Sequence, residues 1–231
     1  MSARTDHRHR IVEAAADLLS NHGRAAVTTR AVSTAAGVQP PTIYRLFGDM
    51  TGLLDAVAAD GFTRYLERKA ALGASADPVR DLRGGWDLHV EFGLENPAHY
   101  LLMYGEPATS SRSGAAEEAR RLLLRLMGRV AEAGRLLVGV EQAAQTLHAA
   151  CMGVTLSLIG TAPSERDPAL SSRTREAVLA AITCDATGEE DREPARRAVA
   201  LRSVLDRAAD GFSPGERLLL EEFLARLAAS P

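Results

Sequence analysis

The sequence predicts an all-α protein: an N-terminal three-helix helix-turn-helix module followed by a larger helical body. Three observations carry this. Alanine, leucine and arginine are abundant, and these residues lose little on entering a helix. Apolar positions recur at helical spacing through most of the 231 residues. Strand signals are nearly absent, because no alternating Val/Ile/Thr/Tyr run is bounded by Asn-Gly or Asp-Gly turns.

The elements follow in chain order. Residues 1–8 read as a flexible arm. A first helix is predicted from about Arg8 to Asn21, with Ile11, Ala15, Leu18 and Leu19 at helical spacing and Gly23 as its stop. Thr28 is placed to cap a second helix carrying Thr29, Arg30, Val32 and Ala35. Gly37 breaks that helix, since glycine accepts the left-handed backbone of a tight turn. Pro40-Pro41 opens a third helix, where a missing N–H does no harm, and Gly48-Asp49 ends it.

A fourth helix runs from about Met50 to Leu72, with Leu53, Leu54, Val57, Phe62 and Leu66 on its apolar face. Gly73 to Pro78 is a small-residue linker. Asn96-Pro97 interrupts the next helical stretch, and Glu106–Ser113 is a loop of turn formers. Helices are further predicted at Glu117 to Ala133, Glu141 to Ile159, Ala169 to Cys184, Pro194 to Ala209 and Pro214 to Ala228, with Gly188 to Glu193 an exposed connector. The division is residues 1–50 for the first module, a connecting helix over 50–72, and 73–231 for the body.

Composition narrows the function classes. Hydrophobic residues make up 46% and charged residues 25% of the chain, as in an ordinary soluble globular protein. Net charge is −3, but residues 1–48 hold six arginines against three acids, so this part carries +3 and the remainder −6. A cationic module on an acidic body suits a phosphate-facing element joined to one that should avoid phosphate. Cys151 and Cys184 lie far apart in helical stretches and fit neither a disulfide framework nor a metal site. Reduced thiols and the lack of a signal-like start point to the cytoplasm. Apolar runs break well short of the ~20 residues of a membrane span, so no membrane partner is expected.

The segment VTTRAVSTAAGVQPPTIYRLFGDMTGLLDAV, Val27 to Val57, reads as short helix, tight turn, short helix and longer apolar helix. In such a unit the second helix lies in the major groove and its first residues touch base edges. Those residues are Gln39, Pro40, Pro41, Thr42, Tyr44 and Arg45. Arginine pairs with guanine, glutamine with adenine, and threonine or proline packs on a thymine methyl. Thr28, Thr29 and Arg30 open the preceding helix, where hydroxyls and helix-start N–H groups reach phosphates. Ile43, Leu46 and Phe47 point inward as anchors.

These residues, with the upstream helix RIVEAAADLLSNHG, resemble the tetracycline-repressor (TetR) family of bacterial transcription regulators over about residues 8–60. The resemblance implies phosphate contacts from Thr29 and Tyr44, and base contacts from Arg30, Gln39, Pro41 and Thr42. One departure stands out. The family usually opens its fourth helix with a phosphate-pairing lysine, where this chain has Met50 preceded by Asp49. The missing cation lowers phosphate affinity or leaves that work to Arg45, Arg24, Arg4, Arg8 and Arg10.

A small module reads DNA in pairs, about 34 Å apart, so a homodimer surface is expected. Ala149, Gly153 and Ser157 recur every fourth residue, and small residues let helices approach closely. Ala177 and Ala181, with Val178 and Ile182, complete a four-helix contact about a two-fold axis. The alternative is packing within one subunit.

The segment WDLHVEFGLENPAHYLLMYGE resembles a regulatory domain in one branch of the same family, over about residues 80–160. That likeness implies a small-molecule pocket between helices, lined by Trp86, His89, Val90, Phe92, Tyr100, Met103, Tyr104, Leu123, Met127, His148 and Met152. The alternative is that these residues are ordinary core.

No enzyme signature is present. G-x-G-x-x-G, P-loop, H-E-x-x-H and G-x-S-x-G are all missing. Cys151 follows His148 by three positions, but nothing orients the histidine or lowers the thiol pKa. His7 and His9 form an HxH pair without further ligands, so neither metal nor cofactor is expected. The expected function is a sequence-specific DNA-binding repressor, released from a double-stranded operator by a small, largely apolar effector. The alternative is a helical ligand- or protein-binding module with weakened DNA binding.

Overall fold

The structure, a computed structural model, describes residues 3–104, 114–184, 193–205 and 211–228. Among the described residues there are eleven α-helices and no strand. In order they are α1 (Ala3–His22), α2 (Thr29–Ala36), α3 (Pro40–Phe47), α4 (Met50–Ala71), α5 (Pro78–Glu95), α6 (Pro97–Tyr104), α7 (Gly114–Glu132), α8 (Val140–Gly160), α9 (Leu170–Ile182), α10 (Glu193–Val204) and α11 (Pro214–Ala228). The loop expected at Glu106–Ser113 lies outside the described residues, as does most of the connector expected at Gly188 to Glu193.

The expected arm is a correction. Residues from Ala3 onward belong to α1 rather than to a flexible lead. Asp6 sits in the first turn, where a negative charge favours the helix dipole. His9 and Glu13, one turn apart, approach to 3.2 Å. The limits of α2 and α3 fall where a cap, a glycine and prolines put them. Thr28 Oγ1 accepts a 3.2 Å hydrogen bond from the Ala31 N–H. Gly37 takes the left-handed conformation (φ 62) at the end of α2, and the Val38 N–H donates back to Ser33 O at 3.0 Å.

The chain divides into two compact units. The first comprises Met1–Ala71, Leu88–Ala119 and Thr155–Ala162. One hydrophobic core runs through it, from Ile11, Ala15, Leu19, Val32 and Ile43 through Leu53, Val57 and Phe62 to Phe92, Tyr100 and Met103. The N-terminal module therefore has no separate core of its own. Helix α6 packs on both α1 and α4, and Gly61 allows the α4 contact, since a Cβ there would lie 3.1 Å from Met103 Sδ.

The second unit comprises Leu72–Asp87, Arg120–Val154 and Pro163–Pro231. Val79, Leu82, Trp86, Met127, Val130, Leu136, Leu147, Leu179 and Ile182 are buried in it. Ion pairs ring it: Arg129 with Asp81 at 2.6 Å, Arg135 with Asp77 at 2.7 Å, and Arg83 with Glu176 at 2.8 Å. Burial pushes the Asp81 carboxyl up, but hydrogen bonds from Ser75 and Arg129 outweigh it and hold the group below the ordinary carboxylate range.

Candidate nucleic-acid interface

Helix α3 begins at two prolines whose fixed φ suits a first helical turn. Its eight residues split cleanly by exposure. Ile43 is fully buried, and Leu46 and Phe47 pack against the core at half exposure. Gln39, Pro40, Pro41, Tyr44 and Arg45 are exposed, and Thr42 is half-buried. The outward face thus carries the residues singled out for base contact. The anchors expected to hold the helix do hold it.

Helix α2 presents a matching edge. Thr28 and Arg30 are exposed and Thr29 is half-buried. Thr29 Oγ1 and the Tyr44 hydroxyl share a 3.2 Å hydrogen bond, which ties the start of α2 to the outer face of α3. Tyr44 remains 49% exposed, so its phenol has room for a second partner.

Three braces set the angle of this unit, and none was legible as a brace in the sequence. Arg10 Nη2 donates to Ala36 O at 2.5 Å, so a cation sits on the carbonyl end of α2. The Arg8 guanidinium lies 5.1 Å from the Phe47 ring centroid. Asp49 Oδ1 accepts a 2.8 Å hydrogen bond from the Gly52 N–H, capping α4. Arg8 and Arg10 are thus engaged within the unit while both stay exposed. Asp49 sits in the positive end of α4, which partly offsets its charge. Met50, where a lysine was expected, packs half-buried against the core.

The residues expected around an effector divide between the two units. His89, Phe92, Tyr100, Met103 and Tyr104 fall in the first unit, as does Val90. Four of them form a tight cluster with Phe62 and Tyr65, which sequence reasoning did not single out for this role. The Tyr100 and Tyr104 centroids are 4.7 Å apart, and His89 lies 5.4 Å from Tyr100 and 5.6 Å from Tyr65. His89 bridges two phenols, with Nε2 2.6 Å from Tyr100 Oη and Nδ1 3.3 Å from Tyr65 Oη. Such a cluster is a packed polar-aromatic core.

Trp86, Leu123, Met127, His148 and Met152 fall in the second unit. Trp86 and Met127 are buried, and the indole N–H donates to Ser171 Oγ at 3.0 Å. Leu123 and Met152 are half-buried, while His148 is exposed on α8. Cys151 is buried with Sγ 4.0 Å from Trp86 O. Among the described residues no cluster of three or more His, Cys, Asp or Glu side chains could hold a metal ion.

The candidate dimer residues are open to solvent. Ala149, Gly153, Ser157, Ala177 and Ala181 are all exposed, and a Cβ on Gly153 would meet nothing within 4 Å. Helix α8 is also, among the described residues, long and apolar enough by length and composition to cross a membrane. Its exposed face nevertheless carries Gln142, Gln145, Thr146 and His148.

Residues 11–57 match the family described as bacterial regulatory proteins, tetR family. No curated protein sequence matches the chain. Solved structures share its fold. The fatty acid degradation regulator FadR from Bacillus halodurans is 17% identical with a TM-score of 0.61, covering 74% of this chain and 94% of its own. A bacterial regulatory protein of the tetR family from Rhodococcus RHA1 is 20% identical with a TM-score of 0.58, covering 80% and 100%. The ketosteroid transcriptional regulator KstR2 of Mycobacterium tuberculosis is 16% identical with a TM-score of 0.51, covering 77% and 95%. Residues 11–57, from within α1 to within α4 and including the outward-facing α3, are thus similar to the bacterial regulatory proteins of the tetR family.

Proposed function

We propose that the chain is a homodimeric repressor that leaves its operator when a small, largely apolar effector binds the helical body. The observation that carries the DNA half is the split of α3, with Ile43 sealed and Gln39, Pro41, Tyr44 and Arg45 outward. Thr28, Thr29 and Tyr44 hold phosphates, while Arg30, Gln39, Pro40, Pro41, Thr42 and Arg45 face base edges.

The exposed small residues Ala149, Gly153, Ser157, Ala177 and Ala181 support pairing of two copies through α8 and α9. Within the first unit, Phe92, Tyr100, Met103 and Tyr104 around His89 supply apolar side chains of the kind an effector site needs. Two proteins of like fold are named for fatty acid degradation and for ketosteroids, both apolar chemistries. Release requires that the effector bind the DNA-incompetent spacing more tightly, by roughly 1–3 kcal/mol of coupling.

A second reading rests on Met50. An apolar residue replaces the expected phosphate contact, as in a module whose DNA reading has weakened. A gel shift on the DNA upstream of the chain's own gene separates the two. Retarded DNA supports the regulator, and no shift supports the weakened module. Fatty acids and steroids added to the retarded complex then test release. DNA that stays bound through the series points instead to control by a protein partner or to an activator.

A further inference from the structure

Helix α11 turns its large apolar side chains outward. Leu218 is 69% exposed, Leu219 and Phe223 are each 50%, and Leu227 is 46%. Phe212, in the turn before the helix, is 42% exposed. Nine large hydrophobic side chains are exposed among the described residues, and five of them lie between positions 212 and 227. That concentration separates the patch from ordinary scattered surface apolars. The opposite side of the helix is already used, because Leu224 is buried and α11 packs on α10.

Leu219, Phe223 and Leu227 follow one another every fourth residue, a single stripe about 12 Å long at 1.5 Å per residue. The stripe is symmetric about Phe223. A two-fold axis through Phe223 lays one α11 antiparallel on another, with Phe223 against Phe223 and Leu219 against Leu227. The flanking charges fit the same axis. Glu222 and Arg226 form an ion pair within the helix, and Arg217 pairs with Glu221 at 3.1 Å. In the antiparallel arrangement Glu222 of one copy comes beside Arg226 of the other, and the reverse holds by symmetry. A patch that is self-complementary in shape order and in charge is what an isologous contact requires.

We propose that the exposed face of α11 is a self-association surface whose occupant is α11 of a second copy of this chain, paired antiparallel about Phe223. It is distinct from the α8 and α9 face and independent of DNA reading. A single-helix contact is small beside the ~1,600 Å² of a standard interface. It therefore adds an assembly step at micromolar concentration rather than a permanent one.

Light scattering on the full chain in solution tests this. Phe223→Glu is expected to halve the assembly mass at micromolar concentration with an unchanged circular dichroism spectrum. Glu222→Arg should weaken assembly, and Glu222→Arg combined with Arg226→Glu should restore it. Phe223→Cys in a Cys184→Ser background should give covalent dimers on mild oxidation, while Leu201→Cys in the same background should not. Gly153→Arg tests the α8 face separately, so that either surface can fail without the other. An unchanged mass for Phe223→Glu overturns the proposal, as does a patch that binds phospholipid vesicles while the chain's mass stays constant.

Discussion

The Thr29 hydroxyl lies 3.2 Å from the Tyr44 hydroxyl, joining the first turn of α2 to the exposed face of α3 across 15 residues of sequence. If both groups contact phosphate as proposed, this hydrogen bond orients each for that contact. Tyr44→Phe removes the bond and the phosphate partner together while keeping the ring. The expected outcome is weaker operator binding by about 1 kcal/mol, the scale of one hydrogen bond, with an unchanged melting temperature. Arg30→Ala should cost about 1–3 kcal/mol and relax specificity at one base position. Fluorescence anisotropy on labelled operator checks both, and undiminished affinity in both variants counts against this face.

Gly52 lets α3 end against α4. A Cβ there would stand 2.1 Å from Phe47 O, a backbone atom that cannot rotate away. Gly52→Ala must therefore push the end of α3 outward and tilt the reading helix. The expected result is a loss of stability of about 1–3 kcal/mol, the usual cost of overpacking, together with loss of operator binding. Chemical denaturation and anisotropy measured side by side detect it, and wild-type values in both would mean that the helices are not so close.

Met50 opens α4 beside the capping Asp49 and rests half-buried on the core. A lysine can keep its stem on the same apolar surface and send its ammonium outward. Met50→Lys should tighten DNA binding and steepen the slope of log K against log salt by about 0.9, one phosphate contact. A salt titration of both proteins measures this, and parallel slopes would show that α4 does not begin at the DNA backbone.

Glu176 is held at a pKa of about 2 by hydrogen bonds from Arg83 and Arg175. The folded value lies below the ordinary 4.5, so the stabilisation is present above that pH and is lost as pH falls toward 2. The side chain is 46% exposed, so solvent screening keeps the contribution modest. Melting temperature should drop more steeply with acid between pH 4.5 and 2 in the wild type than in Glu176→Gln. Identical profiles would remove Glu176 from the acid response.

Local signals were legible in the sequence. Thr28 acts through its own hydroxyl on the turn that follows it, and Gly37, Pro40-Pro41 and Pro97 through their own backbone, so the helix limits near them could be read directly. The outward set on α3 followed from helical spacing around Ile43. Contacts between distant residues were not legible. Arg10 on Ala36, Ser20 on His99 at 3.3 Å and Tyr65 on His89 join residues that no periodicity links. The shared core of the first unit was hidden for the same reason. Phe92, Tyr100 and Met103 lie far along the chain from Ile11 and Ile43, yet they belong to one cluster with them. The arm was misread because a polar, charged helix end lacks the apolar repeat by which helices are recognised.

The most direct measurement is a salt-resolved anisotropy titration of the full chain against DNA from upstream of its own gene, with a scrambled duplex of equal length as control. Saturable binding at two chains per site is expected, at least about a thousandfold tighter than to the scrambled duplex, and weakened by Arg30→Ala. Equal binding to both duplexes, unaffected by Arg30→Ala, would contradict base reading by α2 and α3.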